Sequence, residues 1–171
     1  KTIKNFIFDC DGVLYTDLEK VFGQVSKRMT KYISKKLNVD LKKAKTLQTN
    51  YFHEYNTSLN GLMVHHKIDP HEFLEYVHDI NLNFLEKDLI LREELLKLNA
   101  KKIVFTNGSN DHVINITKHL GIDDLFDGSF DIVDCNFIPK PAIEPYEKLA
   151  KKFNINSKET VFIDDIAKNL E

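Results

Sequence analysis

Cysteine is scarce: Cys10 and Cys135 are the only two thiols in 171 residues, far apart and in no metal-ligand spacing. That excludes a disulfide framework and a thiolate zinc site, and suits a reducing compartment. No apolar run approaches the length needed to cross a bilayer. Residues 1–8 lead straight into an apolar strand pattern and leave no room for a signal peptide. Basic charge is not in excess, since 24 Lys and Arg against 26 Asp and Glu give a net charge of −2. A chain so balanced offers no field for nucleic acid. The seven histidines do not cluster at ligand spacing. His65 and His66 are adjacent and would face apart on a helix, which disfavours a zinc pair. Residues 16–98 hold no internal repeat and no low-complexity linker. The expectation is a cytoplasmic protein without nucleic-acid or membrane partners, its oligomeric state unknown. The chain starts at Lys1 rather than Met, so an initiator or a few residues are expected ahead of it.

What is present begins with Ile3 to Tyr15, IKNFIFDCDGVLY. Its apolar run Phe6, Ile7, Phe8 turns at once to Asp9, Cys10, Asp11 and Gly12. A continuous apolar run closed by a turn signal reads as a strand buried on both faces of a parallel sheet. Residues 16–98 then read as an all-helical block. Phe22, Val25, Met29, Tyr32, Ile33 and Leu37 recur at helical spacing over Glu19 to Leu37. Asp40 is a candidate N-cap for a second helix carrying Leu41, Ala44, Leu47, Tyr51 and Tyr55. The segment NTSLNG at 56–61 predicts a turn that breaks it. Asp69, Pro70 and Glu72 start a third helix, and a fourth is expected over Leu89 to Leu98.

After this block the pattern switches back to short β-branched runs. KIVFTN at 102–107 reads as a strand, and a helix with Val113, Ile114 and Leu120 stops at Gly121. Phe130 to Val133 predicts a third strand, Pro141 to Phe153 a helix, and TVFI at 160–163 a strand delivering Asp164 and Asp165. Strands alternating with helices imply right-handed βαβ crossovers and a parallel sheet whose strand ends share one edge. Ligands of such sheets bind beyond those ends. Asp9 and Asp11, Thr106 and Asn107, and Asp164 and Asp165 would therefore converge. Acids packed that closely repel unless a cation neutralises them. An oxygen-only donor set suits Mg²⁺, which commonly shares its shell with phosphate. Lys140, held between prolines in IPKPA, would add a fixed positive charge.

The ordered set Asp9-x-Asp11, Thr106, Lys140 and Asp164-Asp165, each in its strand or loop context, resembles the haloacid dehalogenase-like (HAD) phosphohydrolases. The cap text YFHEYNTSLNGL at 51–62 and EYVHDI at 75–80 is similar to that of the pyrimidine 5′-nucleotidase branch. The resemblance implies an α/β, Rossmann-like parallel-sheet core at 1–15 and 99–171, with an all-helical cap inserted at 16–98 after the first strand. It further implies a Mg²⁺-dependent phosphomonoesterase acting on a small phosphate monoester, most simply a pyrimidine nucleoside monophosphate. Asp9 would be the nucleophile that becomes an aspartyl-phosphate, and Asp11 the acid and base. Thr106, Asn107, Gly108 and Lys140 would hold the phosphoryl group. Asp9, the Asp11 carbonyl and Asp165 would bind Mg²⁺, with Asp164 either a further ligand or an anchor. Members of that family continue through another helix and strand, so the core is expected to be cut short at its C-terminal end.

Other readings remain open on sequence. A sugar-phosphate phosphatase or a phosphoglucomutase-like enzyme would share the core motifs. A catalytically idle binding module would not need two like charges so close at Asp9 and Asp11. A receiver-type signalling domain would lack the long helical insertion. Cap candidates for substrate contact are Tyr51, His53, Tyr55, Asn56, Thr57 and Asn60, although Tyr51 and Tyr55 at a spacing of four could equally be helix-pair core. Cys10 is expected to point away from its acidic neighbours and to pack.

Overall fold

The computed structural model describes residues 2–171. These form two compact units, one made of the chain up to Thr16 together with Leu82–Glu171, the other of Asp17–Asn81.

The first unit is built on a parallel sheet of four strands: β1 (Asn5–Phe8), β2 (Lys101–Phe105), β3 (Gly128–Phe130) and β4 (Thr160–Ile163), in the order β3-β2-β1-β4. Each crossover carries helical structure, as the alternation of short apolar runs and amphipathic stretches requires. Ile7, Ile103 and Phe105 project to one face, where Phe130, Cys135 and Leu149 complete a core bordered by Tyr146, Phe153 and Phe162. Val104, on the opposite face by strand alternation, is equally buried. Truncating a residue such as Ile103 to alanine would cost about 2–5 kcal/mol. The third strand lies two residues earlier than the apolar signal at Phe130 to Val133 suggests. Asp131 and Asp134 form reciprocal side-chain to backbone hydrogen bonds of 3.0 Å, closing a turn just past Phe130. That turn removes Ile132 and Val133 from the ladder.

The second unit contains α1 (Leu18–Leu37), α2 (Leu41–Tyr55), α3 (Ser58–His66) and α4 (Pro70–His78). The caps explain the boundaries. Asp40 accepts from the Lys43 amide at 2.8 Å, and Asp69 accepts from the His71 amide at 2.9 Å ahead of Pro70 in the first turn. α1 buries Val21, Val25, Tyr32 and Ile33, while Phe22 stands largely exposed one position off that row. The NTSLNG segment departs from expectation: only its first two residues turn. Asn56 takes the left-handed conformation that ends α2, and Thr57 then caps α3 through its side chain, accepting from the Asn60 amide at 3.1 Å. Residues that read as a loop are the junction between two helices.

The helix after these, α5 (Leu89–Lys97), belongs to the first unit. The Asp88 amide donates to Leu120 O at 3.0 Å, and Arg92 reaches Gly121 O at 2.8 Å and the carboxylate of Asp124. Those partners bracket the C-terminus of α6 (Asn110–Leu120), and α7 (Ile143–Phe153) precedes β4.

Candidate active site

Strand register decides which side chains meet. Phe8 pairs with Val104 on one side and with Ile163 on the other, so the next residues, Asp9, Phe105 and Asp164, stand level across three strands. The Asp9 amide donates to Ile163 O at 2.8 Å, carrying the β1–β4 pairing to that level. Lys140 ties the row together. Its Nζ donates to Asp9 Oδ1 at 3.2 Å, to Phe105 O at 3.0 Å and to Asp164 Oδ2 at 2.7 Å. The ammonium is 2 % exposed and lies 4.9 Å from the Phe105 ring centre. Its loop is fixed by Asn107, whose Oδ1 accepts from the Lys140 amide at 2.8 Å. Removing a partner so buried would leave charges uncompensated, at a cost of about 3–5 kcal/mol.

Asp164 is fully engaged. Its buried carboxylate accepts from Lys140, from Asn169 Nδ2 at 3.0 Å and from the Ile166 amide at 2.9 Å. Asn169 is in turn held by the Tyr146 hydroxyl, which donates to Asn169 O at 2.6 Å. Asp165 lies differently. It is exposed, and one of its carboxyl oxygens lies within 4.8 Å of one of Asp9. Gly12, at φ +78°, lets the chain pass beside it, because a Cβ there would collide with the Asp165 carboxylate.

These contacts shape the electrostatics. Burial lifts the Asp9 carboxyl to about 7, against the pull of Lys140 and with the help of Asp164 and Asp11. Burial and the neighbouring Asp164 raise Asp165 as well. Oxygens of Asp9, Asp164 and Asp165 lie within 4.8 Å of one another. Two carboxyls that approach this closely and resist ionisation suit a divalent cation held by oxygen. Asp9 and Asp165 could hold it, with Asp164 bracing Lys140 beside them.

Thr106 is buried at the end of β2, and its Oγ1 accepts from the Gly108 amide at 2.9 Å. Neither Thr106 nor Asn107 caps the next helix, because Ser109 does so by accepting from the His112 amide at 3.3 Å. Cys10 is fully buried and its thiol is pushed well up, first by burial and then by its two acidic neighbours, so it stays protonated.

Asp11 brings in two residues that sequence reasoning missed. The Tyr15 hydroxyl donates to Asp11 Oδ1 at 2.5 Å, and His112 Nε2 meets the same oxygen at 2.8 Å. His112 lies in the first turn of α6, directly after the KIVFTNGS segment. The signal was its place: the first turn of the helix after a strand faces the same sheet edge as the strand end.

Of the cap candidates, Tyr51 is buried and its hydroxyl pairs with His66 Nε2 at 2.6 Å, while Tyr55 pairs with His65 Nε2 at 2.6 Å. Asn56, Thr57 and Asn60 make the α2–α3 junction, with Asn60 Nδ2 donating to Tyr55 O at 3.4 Å. His53 is exposed.

The family model for haloacid dehalogenase-like hydrolases matches residues 3–171. This chain belongs to the HAD-like hydrolases. Phosphate metabolism protein 8 of Saccharomyces cerevisiae is 32% identical over 98% of this chain, which spans 57% of that relative's length. Among solved structures, a HAD phosphatase from Thermococcus onnurineus superposes with a TM-score of 0.57 at 18% identity, over 95% of this chain and 78% of that one. A magnesium-bound HAD hydrolase from Bacillus subtilis gives 0.56 at 16% identity, over 97% and 79%. Both likenesses are of fold. Among the described residues no helix is long and apolar enough to cross a membrane.

Proposed function

We propose that this HAD-like hydrolase is a Mg²⁺-dependent phosphomonoesterase that works through an aspartyl-phosphate on Asp9, with pyrimidine nucleoside monophosphates as its substrate class. The observation that carries the reading is the division of labour between the two acids of one turn. Asp9 is braced by Lys140 within an acid cluster, whereas Asp11 is held separately by Tyr15 and His112. One carboxylate is thus fixed for attack at phosphorus and the other for proton transfer. A phosphate ester needs the second function because an alkoxide is a poor leaving group, whereas a halide would leave unaided.

Asp9, Asp165 and the Asp11 carbonyl would hold Mg²⁺, whose charge would offset that of the carboxylates and of the phosphoryl group. Lys140 brings a permanent positive charge to the Asp9 carboxylate, suited to the negative charge that builds on the transferring group. Thr106, Asn107 and Gly108 supply the hydroxyl and amides for its non-reacting oxygens. Asp164 keeps the lysine in place through its own buried contacts. Tyr51, His53, Tyr55, Asn56, Thr57 and Asn60 of the helical unit are the candidates we propose for nucleoside preference.

Phosphate release from uridine and cytidine monophosphates, purine nucleotides and sugar phosphates, each with Mg²⁺ and with chelator, tests the proposal. Metal-dependent release, highest for the pyrimidine nucleotides and abolished by Asp9→Asn in a folded protein, is the expected result. Preference for a sugar phosphate would replace the substrate class. Release by the Asp9→Asn protein would require another nucleophile.

A further inference from the structure

The contacts of Asp11 go further than its assignment as acid and base, on which the following rests. Both groups that meet its Oδ1 are immobilised. Tyr15 is buried in the turn where the Val13 and Leu14 amides donate to Cys10 O at 3.3 and 3.0 Å. His112, 1 % exposed, is fixed from its own amide by the Ser109 hydroxyl and from its neighbours by burial in α6. Tyr15 is the donor in its pair, because a phenol hydroxyl facing a carboxylate oxygen at 2.5 Å gives it the hydrogen. His112 Nε2 faces a carboxylate oxygen and so carries a hydrogen there.

Rotation about the last bond of an aspartate is otherwise broad and nearly two-fold. We propose that His112 and Tyr15 are positioning residues that hold Oδ1 of Asp11 by two hydrogen bonds and so fix the plane of its carboxyl for proton transfer. In the first half-reaction an Asp9 oxygen bonds to phosphorus as the bond to the ester oxygen breaks. The proton on Asp11 passes to that oxygen, which leaves as the alcohol. In the second, Asp11 takes a proton from water while the water oxygen bonds to phosphorus. The bond to Asp9 then breaks, and inorganic phosphate and both carboxyls are restored to their starting forms.

The test is the dependence of kcat/KM on leaving-group basicity for alkyl and aryl phosphates, with the full chain and Mg²⁺. His112→Leu should lose roughly tenfold to a hundredfold on alkyl esters, whose oxygen needs the proton, and less than about threefold on p-nitrophenyl phosphate. His112→Gln, which keeps an N–H donor, should recover most of the alkyl-ester rate, and Tyr15→Phe should steepen the dependence in the same direction. Trifluoroberyllate binding at Asp9, followed by fluorine NMR, requires no proton from Asp11 and should persist in His112→Leu. An equal loss on every ester, or loss of the trifluoroberyllate adduct, would make His112 a merely structural residue and overturn the assignment. A wild-type protein inert toward every ester would overturn the parent reading and this assignment with it.

Discussion

At the residue scale, Asp9 links proton binding to the stability of the fold. Its carboxyl stands near 7 against an ordinary 3.8. Between those values the folded protein keeps a proton that the unfolded chain has released, so this group makes stability fall as pH rises from about 4 to about 7. The sign is the reverse of that for a salt-bridged aspartate, because burial here outweighs Lys140. Asp165 shifts in the same direction. Chelator-treated protein should therefore lose on the order of 2–4 kcal/mol across that window from Asp9 alone, before other groups are counted. Added Mg²⁺ should restore more of it the higher the pH, and should release protons on binding below neutrality. Thermal melts from pH 4 to 8 with and without Mg²⁺ check the first effect, and titration calorimetry in buffers of different ionisation enthalpy checks the second. A Mg²⁺-induced rise in melting temperature that is as large at pH 4 as at pH 7 would contradict this account. Residue types at strand ends announced Asp9, Asp11 and the last acid pair, and the prolines on either side of it announced Lys140. They did not announce His112, because one histidine on a helix is ordinary until its neighbour across the fold is known.

At the element scale, α3 shows what a local pattern can hide. Asn, Thr, Ser and Gly within six residues satisfy the chemistry of a turn, yet the same types cap helices, and here Asn56 ends one helix while Thr57 starts the next. Gly61 is the element's close-packing residue, since a Cβ there would strike the ring and Cβ of Tyr51 on α2. Gly61→Ala should destabilise the helical unit by about 1–3 kcal/mol despite alanine's better helix propensity. Urea unfolding followed by tyrosine fluorescence measures it, and a gain in stability would show that α2 and α3 are not packed as described. The third strand failed to show itself for a related reason. Gly128 and Ser129 are weak strand formers drawn in by pairing with Ile103 and Val104, whereas the better formers Ile132 and Val133 lie inside a turn closed by two aspartates.

At the scale of the whole molecule, the parallel α/β class was readable because β1, β2 and β4 are short apolar runs bracketed by helical periodicity, each ending in polar residues. What sequence could not supply was the level at which the strands align, which depends on hydrogen bonds between segments far apart in the chain, as between Asn5 and its partners Lys101 and Thr160. That alignment sets where the chain can tolerate a change of length. Deleting one residue within β4, such as Val161, would shift the following aspartates by about 3.3 Å and invert their facing. Such a deletion should abolish turnover and Mg²⁺-linked stabilisation together, whereas one glycine inserted at the exposed turn around Asn38, between α1 and α2, should leave both within about twofold. Gaps in natural and laboratory lineages of this protein should accordingly accumulate at helix junctions and spare the strands, and drift in length becomes a record of which segments hold the aspartates level.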